Sequence, residues 1–144
     1  MYRTQRLLGS AVVSAALLAF GALAHAETLK FHAHMMAASE VPPKGGDGMG
    51  EVDATLDTAT NLLVYTVTYS GLSGEATAAH FHGPAAAGAN AGVVVPIKGE
   101  LASPIRGEAT ISPEQAADLV AGKWYFNVHT KLNPGGEIRG QLEH

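Results

Sequence analysis

Apolar and polar residues alternate with period two along most of the chain beyond residue 27. "GEVDATLD" (50–57) sets Val52, Ala54 and Leu56 on one side and Glu51, Asp53, Thr55 and Asp57 on the other, as in a half-buried strand. "TLKFHAHMMAA" (28–38) places Leu29, Phe31, Ala33 and Met35 on one face and Lys30, His32, His34 and Met36 on the other. "NLLVYTVTY" (61–69) carries apolar, β-branched and aromatic side chains on both faces and predicts a central strand. "TAAHFH" (77–82), "GVVVPI" (92–97), "IRGEATI" (105–111), "KWYFNVH" (123–129) and "GEIRGQLE" (136–143) bring the predicted strands to eight. Short strands separated by Gly, Pro, Asn and Asp predict an all-β fold, an antiparallel, Greek-key-like β-sandwich. The expected core is Leu29, Phe31, Val52, Leu56, Tyr65, Val67, Phe81, Trp124, Phe126, Val128, Ile138 and Leu142.

The alternation breaks once. In "SPEQAADLVAGK", Ser112 is an N-cap, Pro113 suits the first helical position and Gln115 completes a capping box. Gly122 ends the segment, so one short helix is predicted over 113–121. Leu119 and Val120 are expected to cover one end of the sandwich.

The first 26 residues follow a different logic. Arg3 and Arg6 precede an uncharged run from Leu7 to Leu23, and Ala24-His25-Ala26 supplies a small-x-small cleavage pattern. Residues 1–26 read as a signal peptide, with Glu27 first in the mature protein and no membrane span after cleavage. A cut after Ala24 would instead leave His25 as an N-terminal copper chelator. The expected location is periplasmic or secreted. Residues 27–144 suit a single domain.

Composition narrows the chemistry. Removing Arg3 and Arg6 from nine basic residues leaves seven against thirteen acidic ones, a net charge of −6 with neutral histidines. Such a domain is a poor partner for nucleic acid or anionic membrane. The chain has no cysteine, so disulfides, thiolate metal sites and cysteine nucleophiles are excluded. The serines sit in no nucleophile elbow, and "GPAAAGANAG" lacks the Lys-Ser/Thr of a phosphate loop. Nothing in the chain assigns a catalytic residue.

Histidines carry what chemistry remains. On strand 77–82, His80 and His82 share a face, and His129 stands with Tyr125 and Asn127 on the polar face of strand 123–129. Alternate strand residues are about 6.6 Å apart, so a pair of imidazoles can converge on one ion. A third from a neighbouring strand gives three nitrogen ligands with an open position, which suits copper or zinc. A glycine-rich loop follows each histidine strand, and the two loops are expected at one end of the sandwich. Binding is expected to weaken as pH falls through about 6.5, where free imidazole takes up protons. His32, His34 and Met36 offer a second set, in which thioether beside imidazole favours cuprous copper. Glu137 and Arg139 share a face and are expected to contact each other or a neighbouring loop, a structural ion pair being the first reading and Glu137 as a further carboxylate ligand or proton relay the sharper alternative. Equally open is a role for the histidines as braces for loops, with no metal.

Several stretches together resemble one family. "EVPP" (40–43), "YSGLSG" (69–74), "AAHFHGPA" (78–85), "NVHT" (127–130) and "NPGGEIRGQL" (133–142) are similar in order and spacing to the CHRD domain, named for its repeats in chordin. The resemblance implies an exported or extracellular β-rich binding module, with no catalytic activity to carry over. It places His80, His82, His129 and Glu137 in characteristic motifs and leaves His32 and His34 outside them. Two functions are thus expected: an exported metal-binding protein, copper favoured, or a module that binds an extracytoplasmic protein or glycan partner. The loop 83–92 has neither His nor Asp, which argues against a dismutase-like second metal.

Overall fold

All eight alternating segments become strands in the computed structural model, which describes residues 25–144. The signal sequence expected over 1–26 lies, but for its last two residues, outside the described residues. The strands are β1 (Thr28–Met36), β2 (Met49–Asp57), β3 (Leu62–Ser70), β4 (Ala76–His82), β5 (Val93–Pro96), β6 (Ile105–Thr110), β7 (Tyr125–Thr130) and β8 (Ile138–Gln141). A 3-10 turn, Ala37–Ser39, follows β1, and α1 (Pro113–Val120) lies between β6 and β7.

Every pairing is antiparallel, and the strands form one sheet in the order β5-β4-β7-β8-β1-β2-β3-β6. The sheet curls until distant strands meet face to face. Tyr65 on β3 and Phe81 on β4 pack edge-on with ring centroids 5.2 Å apart. The two edge strands, β5 and β6, line one groove. The two layers of the sandwich are therefore halves of a single, nearly closed sheet.

Its inner face is the core. Every expected core residue except Leu29 is buried; Leu29 is half-buried and packs on the rim. Phe126 lies edge-on to Phe81 at 4.7 Å and Trp124 packs behind at 5.9 Å. Tyr65 faces Gly107 across β3–β6, and a Cβ there would run into the phenol ring, so the glycine makes room for it.

The helix is capped as expected: Ser112 Oγ accepts from the Gln115 amide at 3.1 Å, and Gln115 Oε1 accepts from the Ser112 amide at 2.9 Å. Leu119 is fully buried, but Val120 is exposed. One residue is about 100° of helix, which turns Val120 away from the barrel end that Leu119 plugs.

Candidate metal centre

β4 and β7 pair so that His80 faces Asn127, Ala78 faces His129 and His82 faces Tyr125. This register sets His80, His82 and His129 together on the outer face of the sheet. One nitrogen of each lies within 4.8 Å of the others, and His80 Nδ1 is 3.1 Å from His129 Nε2. The sequence expectation that these three gather is met by the fold.

The loops reach them differently from expectation. Because β4 and β7 are antiparallel, the loop after His82 and the loop after Thr130 leave from opposite ends of the pair. Each folds back over the outer face from its own end. Ala91 of the first loop accepts from His82 Nδ1 at 3.0 Å, and Pro134 of the second accepts from His129 Nδ1 at 2.8 Å. On that polar face His82, Asn127 and His129 are all buried.

Those two carbonyls fix the chemistry of the rings. A carbonyl oxygen only accepts, so Nδ1 of both His82 and His129 carries the proton. In the neutral rings, Nε2 is then a bare lone pair. Both Nε2 atoms point at the same atom, Asn127 Oδ1, at 2.9 Å each. Asn127 Nδ2 faces the other way, 3.4 Å from Glu40 Oε1. His82 Nε2 and Asn127 Oδ1 thus face each other with no proton between them, an opposition a cation resolves, while His129 Nε2 can also accept from His80 Nδ1 at 3.1 Å.

Protonation resolves it poorly. Burial, reinforced by His129 and His82, pulls the His80 pKa down to about 4. Burial also lowers His82, against the opposing hydrogen bonds to Ala91 and Asn127. Burial raises the Glu40 carboxyl above its usual range, despite the Asn127 contact.

Tyr125 and Arg139 hold the covering loop. The Tyr125 ring stacks parallel to His82, 4.7 Å between centroids, and the Arg139 guanidinium lies 3.5 Å from the phenol centroid. The Ala91 amide donates to Tyr125 Oη at 3.1 Å. Arg139 donates to Asn90 Oδ1 at 2.9 Å and to the Ala89 carbonyl at 2.6 Å.

Arg139 therefore makes no ion pair with Glu137; of the two expected contacts, each residue makes the one with a neighbouring loop. Each has nearer partners. Glu137 accepts from the Ser73 amide and hydroxyl at 2.6 Å each, from Thr130 Oγ1 at 2.5 Å and from Asn133 Nδ2 at 3.1 Å. It clamps two loops and is not among the converging histidine ligands.

His32 and His34 do not join the cluster either, since β8 and β7 separate β1 from β4. Both are exposed and meet carboxylates on β2: His32 lies 2.8 Å from Glu51 Oε2 and 3.1 Å from Asp53 Oδ1, and His34 Nδ1 contacts Glu51 Oε1. His144 packs edge-on against Phe31 at 5.3 Å. Sequence reasoning missed Asn127 and Glu40 as parts of the centre. Asn127 was legible as the residue two before His129; Glu40, 87 positions away, was not.

A curled all-β sheet with an imidazole cluster under two loops defines a β-rich module. The chain belongs to the CHRD domain family, whose model matches residues 31–142. No curated protein and no solved structure gives a significant match. Among the described residues, no helix is long and apolar enough to cross a membrane.

Proposed function

We propose that this CHRD-domain protein is exported and binds a divalent transition metal, copper ahead of zinc, through His80, His82 and His129. The observation that carries the reading is the gathering of one nitrogen each from His80, His82 and His129 within 4.8 Å, beside His82 Nε2 and Asn127 Oδ1 facing each other with no donor between them. The second ring nitrogens of His82 and His129 are tied to carbonyls, the outer contact that orients imidazole ligands in metal sites. An all-nitrogen and oxygen donor set ranks Cu(II) above Zn(II). Export rests on the Arg-flanked apolar run ending "AHA".

One observation favours the alternative, an interaction module for a protein or glycan with bracing histidines. Reversing the Asn127 amide would let its NH2 donate to both Nε2 atoms. Its oxygen would then face the Glu40 carboxyl, whose pKa burial raises.

Calorimetric titration of tag-free protein with Cu(II) and Zn(II) at neutral pH separates the two. We expect binding tighter than about 10 µM, roughly −7 kcal/mol, that disappears when all three histidines are changed to Ala. Equal binding by the triple variant, or none by wild type, moves the protein to the interaction reading. Intact mass of the exported protein should begin at Glu27.

A further inference from the structure

We infer that a second, softer site lies on the outer face of β1 and β2, where Met36, Met49 and His34 take a monovalent d10 cation, Cu(I). In the β1–β2 register Met36 faces Met49, His34 faces Glu51 and His32 faces Asp53. All six point outward. Directly opposed residues have Cβ atoms about 4.5–5.5 Å apart, and the next residue on the same face is about 6.8 Å along the strand. Two flexible thioethers and one imidazole therefore lie within reach of a single ion.

The exposure of the methionines sets them apart. Met36 is 40% exposed and Met49 53%, whereas the adjacent Met35 is fully buried in the core. Paired methionines on a water-facing sheet gain little from burial, yet thioether sulfur is a good ligand for Cu(I). His34 is oriented for the same task. Its Nδ1 is held by the Glu51 carboxylate, and among the described residues its Nε2 has no hydrogen-bond partner. The carboxylate thus fixes the tautomer that leaves Nε2 free to bind. Glu51 and Asp53 add negative charge beside the ion.

This site is independent of the histidine cluster, although both occupy one face of the sheet. Met36 pairs with Arg139 and Arg139 with Asn127, so two strand spacings of about 4.8 Å separate Met36 from the nearest strand of the histidine cluster, and a third separates it from His80.

The test uses Ag(I), which mimics Cu(I) without redox chemistry, and Cu(I) itself under argon against a coloured competing chelator. Methyl spectra of protein labelled at the methionine ε-carbon follow each addition. We expect the Met36 and Met49 methyls to shift with the first equivalent while Met35 stays still. The Met36→Leu/Met49→Leu variant should lose one equivalent of Ag(I) and Cu(I) yet keep the wild-type Cu(II) and Zn(II) isotherms. His34→Ala should weaken Cu(I) binding at least tenfold. Protein with the three clustered histidines changed to Ala should keep the methyl shifts. Unmoved Met36 and Met49 methyls, or unchanged uptake by the leucine variant, would overturn the site whatever the histidine cluster does.

Discussion

His82 Nε2 and Asn127 Oδ1 stand 2.9 Å apart with a lone pair on each and, in the neutral ring, no proton between them. The carbonyl of Ala91, by claiming Nδ1–H, creates that opposition. A cation between the two atoms turns repulsion into coordination, so the residue at 127 should set the strength of binding. Asn127→Asp keeps the shape, removes the amide donor and adds charge. It should tighten Zn(II) and Cu(II) about tenfold, roughly 1.4 kcal/mol. Without metal the same variant should melt lower, because its carboxylate faces Glu40. Calorimetry and melting curves with and without metal check both halves. Weaker metal binding by the variant would mean that the reversed amide is the resting state.

Proton competition should begin at lower pH than free imidazole suggests. His80 is pulled to about 4 by burial and by His129 and His82, and burial lowers His82 as well. His80 thus stays neutral well below pH 6.5, and the proton competition it contributes to metal binding should fall nearer pH 4. The sign for metal-free stability follows from the same shift. Above about 6.5 His80 is neutral folded and unfolded, and stability is full. As pH falls from there to about 4, only the unfolded chain takes the proton, and stability is lost. Imidazole NMR of metal-free protein should place the His80 midpoint near 4. A midpoint near 6.5 would show the ring open to water.

The eight strands and the helix were legible because period two and capping chemistry are local signals. Val52, Ala54 and Leu56 declare a face without help from the rest of the chain. The three histidines were legible for the same reason plus one guess, that β4 and β7 are neighbours. What lay beyond local reading was the pairing order. Antiparallel pairing of β4 with β7 sends the two loops off opposite ends, and the position of β7 and β8 between β4 and β1 keeps His32 and His34 away. Glu137 and Arg139 illustrate the limit most clearly. Their spacing matched an ion pair, but Ser73 and Asn90, each brought in by a distant loop, claim them first.

Phe126 tests the inner face. It is fully buried, with Phe81 edge-on at 4.7 Å, on the strand whose outer face carries Asn127 and His129. Phe126→Ala should cost about 3–5 kcal/mol in denaturant unfolding. A loss below about 1 kcal/mol would put the ring outside the core and invert the β7 register, and with it the histidine cluster.

Glu137 tests how the second loop is held. Burial alone would raise its carboxyl pKa, but the donors of Ser73, Thr130 and Asn133 outweigh burial and lower it. The carboxylate therefore contributes stability that is full above the ordinary value of 4.5 and is lost as pH falls through the lower folded value. Glu137→Gln removes the charge and turns an N–H toward groups that donate. With hydrogen bonds to a charged group worth about 1.5–3 kcal/mol, the variant should lose about 2–3 kcal/mol at pH 7. Its stability should also fall less steeply than wild type below pH 4.5, because the depressed group is gone. The loss should reach the histidine cluster too. The loop that Glu137 clamps through Asn133 is the one whose Pro134 carbonyl holds His129 Nδ1. Loosening it frees the His129 tautomer, so metal binding should weaken in the variant while Met36 and Met49, on the far side of β8, keep their response to Ag(I).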